Sequence, residues 1–232
     1  MAVDRAERAQ QKRPSALGTL LGLPWRIAMV VLVSLLCSIV IEWVGMYWDW
    51  WSLPGSGHAE QTMTTEMGWL DTQFTRSLLF ADPVATASAL VEWLHTWLFV
   101  KTGIAGWLDH NETTGGWVGT LHTYLEAAVY VTLMTLTRCV ILVLTSPLFV
   151  MAALVGFIDG LVRRDLRRFG AGRESAFIYH HAKRAVTPIF ILGWLVYLSV
   201  PFSFHPNVFL LPCAVLFGLM ISIATGSFKK YL

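Results

Sequence analysis

The chain has 232 residues, of which 55% are hydrophobic, 13% aromatic and only 14% charged. A soluble domain carries about a quarter charged residues, so the composition excludes a single water-borne enzyme domain. The apolar residues are also clumped: residues 27–41, 139–158, 185–200 and 208–225 hold no charged side chain, as segments in lipid should. Most of the eleven tryptophans lie between Trp43 and Trp117, where their amphipathic rings suit a bilayer surface.

Arg5, Arg8, Lys12, Arg13 and Arg26 precede the first apolar run. That is the layout of a signal peptide or a signal anchor. Glu42, Trp43 and Val44, which follow the run, lack the small residues of a cleavage site. Residues 1–26 are therefore read as a basic cytoplasmic segment and 27–45 as an uncleaved first span.

Residues 46–126 read as an outer, periplasmic segment of amphipathic helices, because 46–118 carries eight acids against two bases. Within it, residues 84–100 contain Glu92 and His95, with Leu90, Trp93, Leu94, Trp97, Leu98 and Val100 at helical spacing. A fifth span here would put the most basic loop outside, against the positive-inside rule. A helix lying on the outer leaflet or packed on a partner is expected instead.

The second span is placed at 127–158, as a long helix able to extend outward. Arg138 then has two readings. It lies deep in lipid and needs a carboxylate, with Glu42 and Glu126 as candidates, or it snorkels to the outer interface above the clean run 139–158. The interfacial reading is favoured. A basic cytoplasmic loop at 159–184 holds seven of the seventeen Lys and Arg. A third span at 185–200, a periplasmic hairpin at 201–206, a fourth span at 207–225 and a cytoplasmic tail at 226–232 complete the chain. Pro188 is expected in the first turn of its helix, and Pro212 at a kink or a helix start. The fold class is thus an all-α integral membrane protein with four transmembrane helices and both termini cytoplasmic.

Little in the sequence points to catalysis. None of the seven histidines falls within an apolar run, the three cysteines sit in or beside the spans, and no glycine-rich phosphate loop is present. No cofactor, metal site or enzymatic activity is expected. The distinctive segment is the inner loop. Arg163, Arg164, Arg167 and Arg168 recur at helical spacing and, with Lys229 and Lys230, suit anionic lipid. Arg173, Glu174, Ser175, Phe177, Tyr179, His180, His181 and Lys183 concentrate charge and aromatic groups in a short amphipathic stretch, the composition of a protein-docking surface. Direct nucleic-acid contact is the lesser expectation.

The run from Arg163 to Arg184, the following Pro188 and the ending from Phe228 to Leu232 resemble the integrating conjugative element membrane protein family of bacteria. The resemblance implies a non-enzymatic inner-membrane accessory subunit. It would work beside the coupling ATPase and other proteins of a type IV secretion-like DNA-transfer channel, with homo-oligomerisation left open. It carries over no active-site residue. The alternative from another class is a small transporter or permease subunit using Arg138 and Glu42 as an intramembrane pair.

Overall fold

A computed structural model describes residues 16–73, 83–111, 115–169 and 176–227. Seven α-helices follow in chain order among them: α1 (Ala16–Tyr47), α2 (Gly57–Gln73), α3 (Pro83–His95), α4 (Ile104–Asn111), α5 (Trp117–Phe169), α6 (Ala176–Ser199) and α7 (Pro206–Gly226). A π-helical turn, Thr96–Val100, continues α3.

The helices are inside out by the standards of a water-soluble bundle. On α1 the buried stripe is Ser34, Ser38, Glu42 and Gly45, small or polar residues at helical spacing, while Leu32, Leu36 and Val40 face outward. Along α5, Val150, Met151, Leu154, Val155 and Ile158 are exposed, and so are Val208, Val215, Leu216 and Leu219 on α7. An apolar belt of this extent requires lipid as its solvent. Among the described residues, three helices are long and apolar enough to cross a membrane: Pro24–Tyr47 of α1, Trp117–Arg167 of α5, and α7; the apolar part of α6, Arg184–Ser199, is shorter.

At 53 residues, α5 is the axis of the molecule. Its length of about 80 Å far exceeds the roughly 30 Å of a hydrocarbon core, so it projects well beyond lipid. Against it α7 packs through glycines. A methyl group on Gly156 would collide with the Gly218 carbonyl, and one on Gly218 would come within 2.7 Å of the Ala152 oxygen. The backbones are therefore in direct contact, the close approach that small residues four apart permit between membrane helices. The main core lies at the α5–α6–α7 junction, around Ile141, Leu142, Phe149, Tyr197, Leu198, Leu210 and Ala214.

One proline expectation changes and the other narrows. Pro188 lies well inside α6, not in its first turn, because the helix begins at Ala176. Pro212 lies within α7, which starts at Pro206 with the His205 ring accepting a hydrogen bond from the Asn207 amide. The opening proline costs no hydrogen bond there, since its missing N–H would have had no partner.

Toward the N-terminal end of α5, α2 packs along it through Ala59, Met63, Ala127, Val131 and Met134. A smaller core of Val91, Phe99 and Leu133 seats α3 and the π-helical turn on the same helix. The expected apolar face of 84–100 is turned away from the chain's own core, as a face meant for a membrane surface or a partner would be. Leu90, Trp93, Trp97, Leu98 and Val100 are exposed, and Val91 and Phe99 point inward. The ammonium of Lys101 caps this outward face, 4.5 Å from the Trp97 ring centre.

Candidate functional site

Where α2, α5 and the α6–α7 connection meet, one cluster of polar groups is sealed from solvent. Arg138 is 0% exposed and Glu66 is 2% exposed. The Arg138 Nε donates to the two carboxylate oxygens of Glu66 at 3.0 and 2.8 Å, and Nη2 donates to Oε1 as well. Its remaining donors go to main-chain oxygens: Nη1 to the carbonyls of Tyr197, at 2.9 Å, and Val200, and Nη2 to that of Phe202 at 2.8 Å. All five N–H groups of the guanidinium are thereby used. The guanidinium carbon also lies 5.5 Å from the Tyr197 ring centre and 5.6 Å from that of Phe204.

Each partner follows from local sequence. Ala59, Thr62, Glu66 and Leu70 form the buried stripe of α2, which brings Glu66 onto α5 at the level of Arg138. Tyr197 and Val200 lie at the C-terminal end of α6, where carbonyls have lost their helical partners, so Arg138 acts as a cap borrowed from another helix. Burial pushes the Glu66 carboxyl up from its ordinary range, against the pull of the Arg138 hydrogen bonds and charge.

Of the two readings of Arg138, the buried one holds in its demand for a carboxylate, but the partner is Glu66 and neither of the expected acids. The side chain does not snorkel to an interface, and the pair is not Arg138 with Glu42. Glu42 takes His58 instead, whose Nδ1 lies 3.0 and 3.1 Å from the two carboxylate oxygens. The Trp51 ring stacks on that imidazole at 4.0 Å, and its indole N–H donates to the Glu42 carbonyl. The same indole lies flat on Gly45, where any larger residue would overlap it. Glu126, the other candidate, accepts a 2.7 Å hydrogen bond from Ser56. The three carboxylates thus tie the α1–α2 connection and α2 to the C-terminal half of α1 and the N-terminal half of α5.

At the opposite end of α5, Arg163 pairs with Asp159 at 2.8 Å, and Asp159 also accepts from the Ser222 hydroxyl of α7. Arg167 donates to the carbonyl of Gly226, the last residue of α7. Two of the arginines assigned to lipid therefore have work within the bundle as well. His181 is exposed on α6. Arg173, Glu174, Ser175, Lys229 and Lys230 lie outside the described residues, as do the side chains of Arg168, Phe177, Tyr179, His180 and Lys183. Among the described residues, no group of three His, Cys, Asp or Glu side chains is placed to hold a metal ion.

A family model described as the IncC plasmid conjugative DNA transfer protein DtrJ-like family matches residues 50–229, about three quarters of the chain. The chain belongs to this family. It is a conjugative DNA-transfer protein, in agreement with the level of function implied by the inner loop, although the description names a plasmid and not an integrating element. No curated protein and no solved structure matches the chain. The matched region takes in both members of the buried pair, the helices α2 to α7 and the whole inner loop.

Proposed function

We propose that this DtrJ-like protein is a non-enzymatic, four-span accessory subunit of a conjugative transfer apparatus in the bacterial inner membrane. Its basic inner loop docks on the coupling ATPase, and its aromatic outer segment faces channel proteins. Family membership over residues 50–229 is the observation that carries the reading. Connectivity supports the fourth crossing. Arg167 bonded to Gly226 sets the end of α7 beside the far end of α5, while Arg138 bonded to Val200 and Phe202 sets its start near the outer half. α7 therefore runs in the same direction as α5, and α6 is the segment that returns. The short apolar length of α6 is tolerated when flanking bases snorkel.

Charge supports the orientation. Arg26, Arg163, Arg164, Arg167 and Arg184 lie toward one end of the bundle, and the acids Asp49, Glu60 and Glu66 toward the other. The transporter reading loses its basis, because every donor of Arg138 is engaged and Glu42 is bound to His58. Deleting the gene should lower transfer of the mobile element to recipient cells without slowing growth; normal transfer would overturn the proposal. Alanine at Glu174, Tyr179 and His180 should weaken recovery of the coupling ATPase with the membrane-inserted protein. Undiminished recovery would remove docking from that loop.

A further inference from the structure

Between α1 and α6 runs an apolar groove of about 360 Å³, lined by Ile27, Val30 and Val31 on one side and Thr187, Phe190, Ile191, Trp194 and Leu198 on the other, with Arg26 at its edge. The outer ends of α1 and α6 lie together, since Trp51 follows α1, Phe202 follows α6, and their rings meet at 5.5 Å. The two helices therefore run the same way, and Arg26 and Thr187 share the opposite end of the groove. Arg184 sits three residues before Thr187, on the same helical face one turn nearer that end, and is exposed.

Length and charge together identify an occupant. From Thr187 to Leu198 the groove follows α6 for about 16 Å from the basic end, a reach on the scale of one extended acyl chain. Its walls are almost wholly apolar, and its mouth holds the Arg26 guanidinium, with Arg184 one helical turn beyond Thr187. Arginine suits a phosphate because its donors form a planar fork. We propose that this groove is a binding site for one anionic phospholipid of the leaflet on the basic side. An acyl chain lies along Val30, Phe190 and Ile191, and the phosphate is held by Arg26 and Arg184. The site goes beyond general attraction of bases to a charged membrane, because it combines a shaped apolar wall with a headgroup clamp.

The inference rests on the placement of α6 in the membrane proposed above, and the test separates the two. Full-length protein purified in detergent is exchanged against equal amounts of phosphatidylglycerol and phosphatidylcholine, and retained lipid is counted by native mass spectrometry. One phosphatidylglycerol should stay bound per chain, preferred on the order of tenfold over phosphatidylcholine. Arg26→Gln with Arg184→Gln should abolish the preference, and the corresponding pair of Lys substitutions should restore most of it. Ile191→Trp, which fills the groove, should release lipid of either kind while helicity is unchanged.

Equal retention of the two lipids, or a preference that survives the Gln pair, overturns the site. So does a cross-linked dimer through Ile191, which would make a second copy the occupant. Alkaline carbonate washing addresses the other premise. A chain stripped from membranes refutes the span assignment and the lipid site with it, whereas an inserted chain holding no phospholipid refutes the site alone.

Discussion

Arg138 is the residue on which the most separate elements depend. It holds the carboxylate of α2 and carbonyls at the end of α6 and in the connection to α7, from a position on α5. Removing one partner of a buried ion pair costs about 3–5 kcal/mol, because the other charge is left without water or a counterion. Arg138→Ala and Glu66→Ala should each lower the unfolding temperature in detergent sharply. If the pair alone matters, Arg138→Met combined with Glu66→Leu should restore stability. The geometry gives a different expectation, since the double variant still strands the carbonyls of Tyr197, Val200 and Phe202, at about 1–3 kcal/mol for each such group. Only partial recovery is therefore expected, and complete recovery in thermal unfolding would show that the carbonyl contacts contribute nothing. From sequence, Arg138 was legible as a charge needing an account, but its partner was not. Glu42, Glu66 and Glu126 are chemically alike, and only the fold selects Glu66 from 72 residues away. The available signal was the stripe of Ala59, Thr62 and Leu70, which makes Glu66 an acid on an otherwise buried face.

Among the elements, the contact of α5 with α7 is set by the absence of side chains. Gly156 and Gly160 face Gly218, Ser222 and Gly226, with carbonyl oxygens where Cβ atoms would otherwise lie. Dispersion across such a contact, not exclusion of water, holds helices together in lipid. Gly218→Ala should destabilise the bundle by about 1–3 kcal/mol as the backbones are forced apart. Gly218→Leu should cost more. The check is a graded fall in unfolding temperature, whereas Ala at the open Gly106 should change it little. Helix existence along α1, α5 and α7 could be read from sequence because long uncharged runs have few other uses. For α3 and the π-helical turn, an apolar face toward lipid or a partner could be read from sequence, but the residues that seat them on α5 could not. Lipid and protein core are equally apolar, so Leu90, Trp93 and Trp97 outward and Val91 and Phe99 inward give the same pattern as the reverse. Which set turned inward was decided by the shape of α5 at Val129, Leu133 and Leu136.

For the whole molecule, the parallel course of α5 and α7 makes α6 the crossing that closes the proposed topology. The sidedness of three positions then follows together. Thr64 is exposed on α2, Ser203 is exposed in the connection between α6 and α7, and Phe169 is 93% exposed at the far end of α5. With Cys37, Cys139 and Cys213 replaced by alanine, a single cysteine at 64 or 203 should react with a membrane-impermeant maleimide added to cells whose outer membrane has been opened. A cysteine at 169 should react only after the inner membrane is broken. The cysteine at 203 carries the decisive weight, because positions 64 and 169 report only on α5. If α6 instead lay flat on the inner surface, 203 would remain shielded until lysis. The contact of Arg138 with the Phe202 carbonyl would then have to break, because it holds that connection to α5 at the level of α2. Labelling at 203 from outside, with 169 protected, is the pattern expected of a bundle in which one buried arginine holds the outer turn of the returning hairpin.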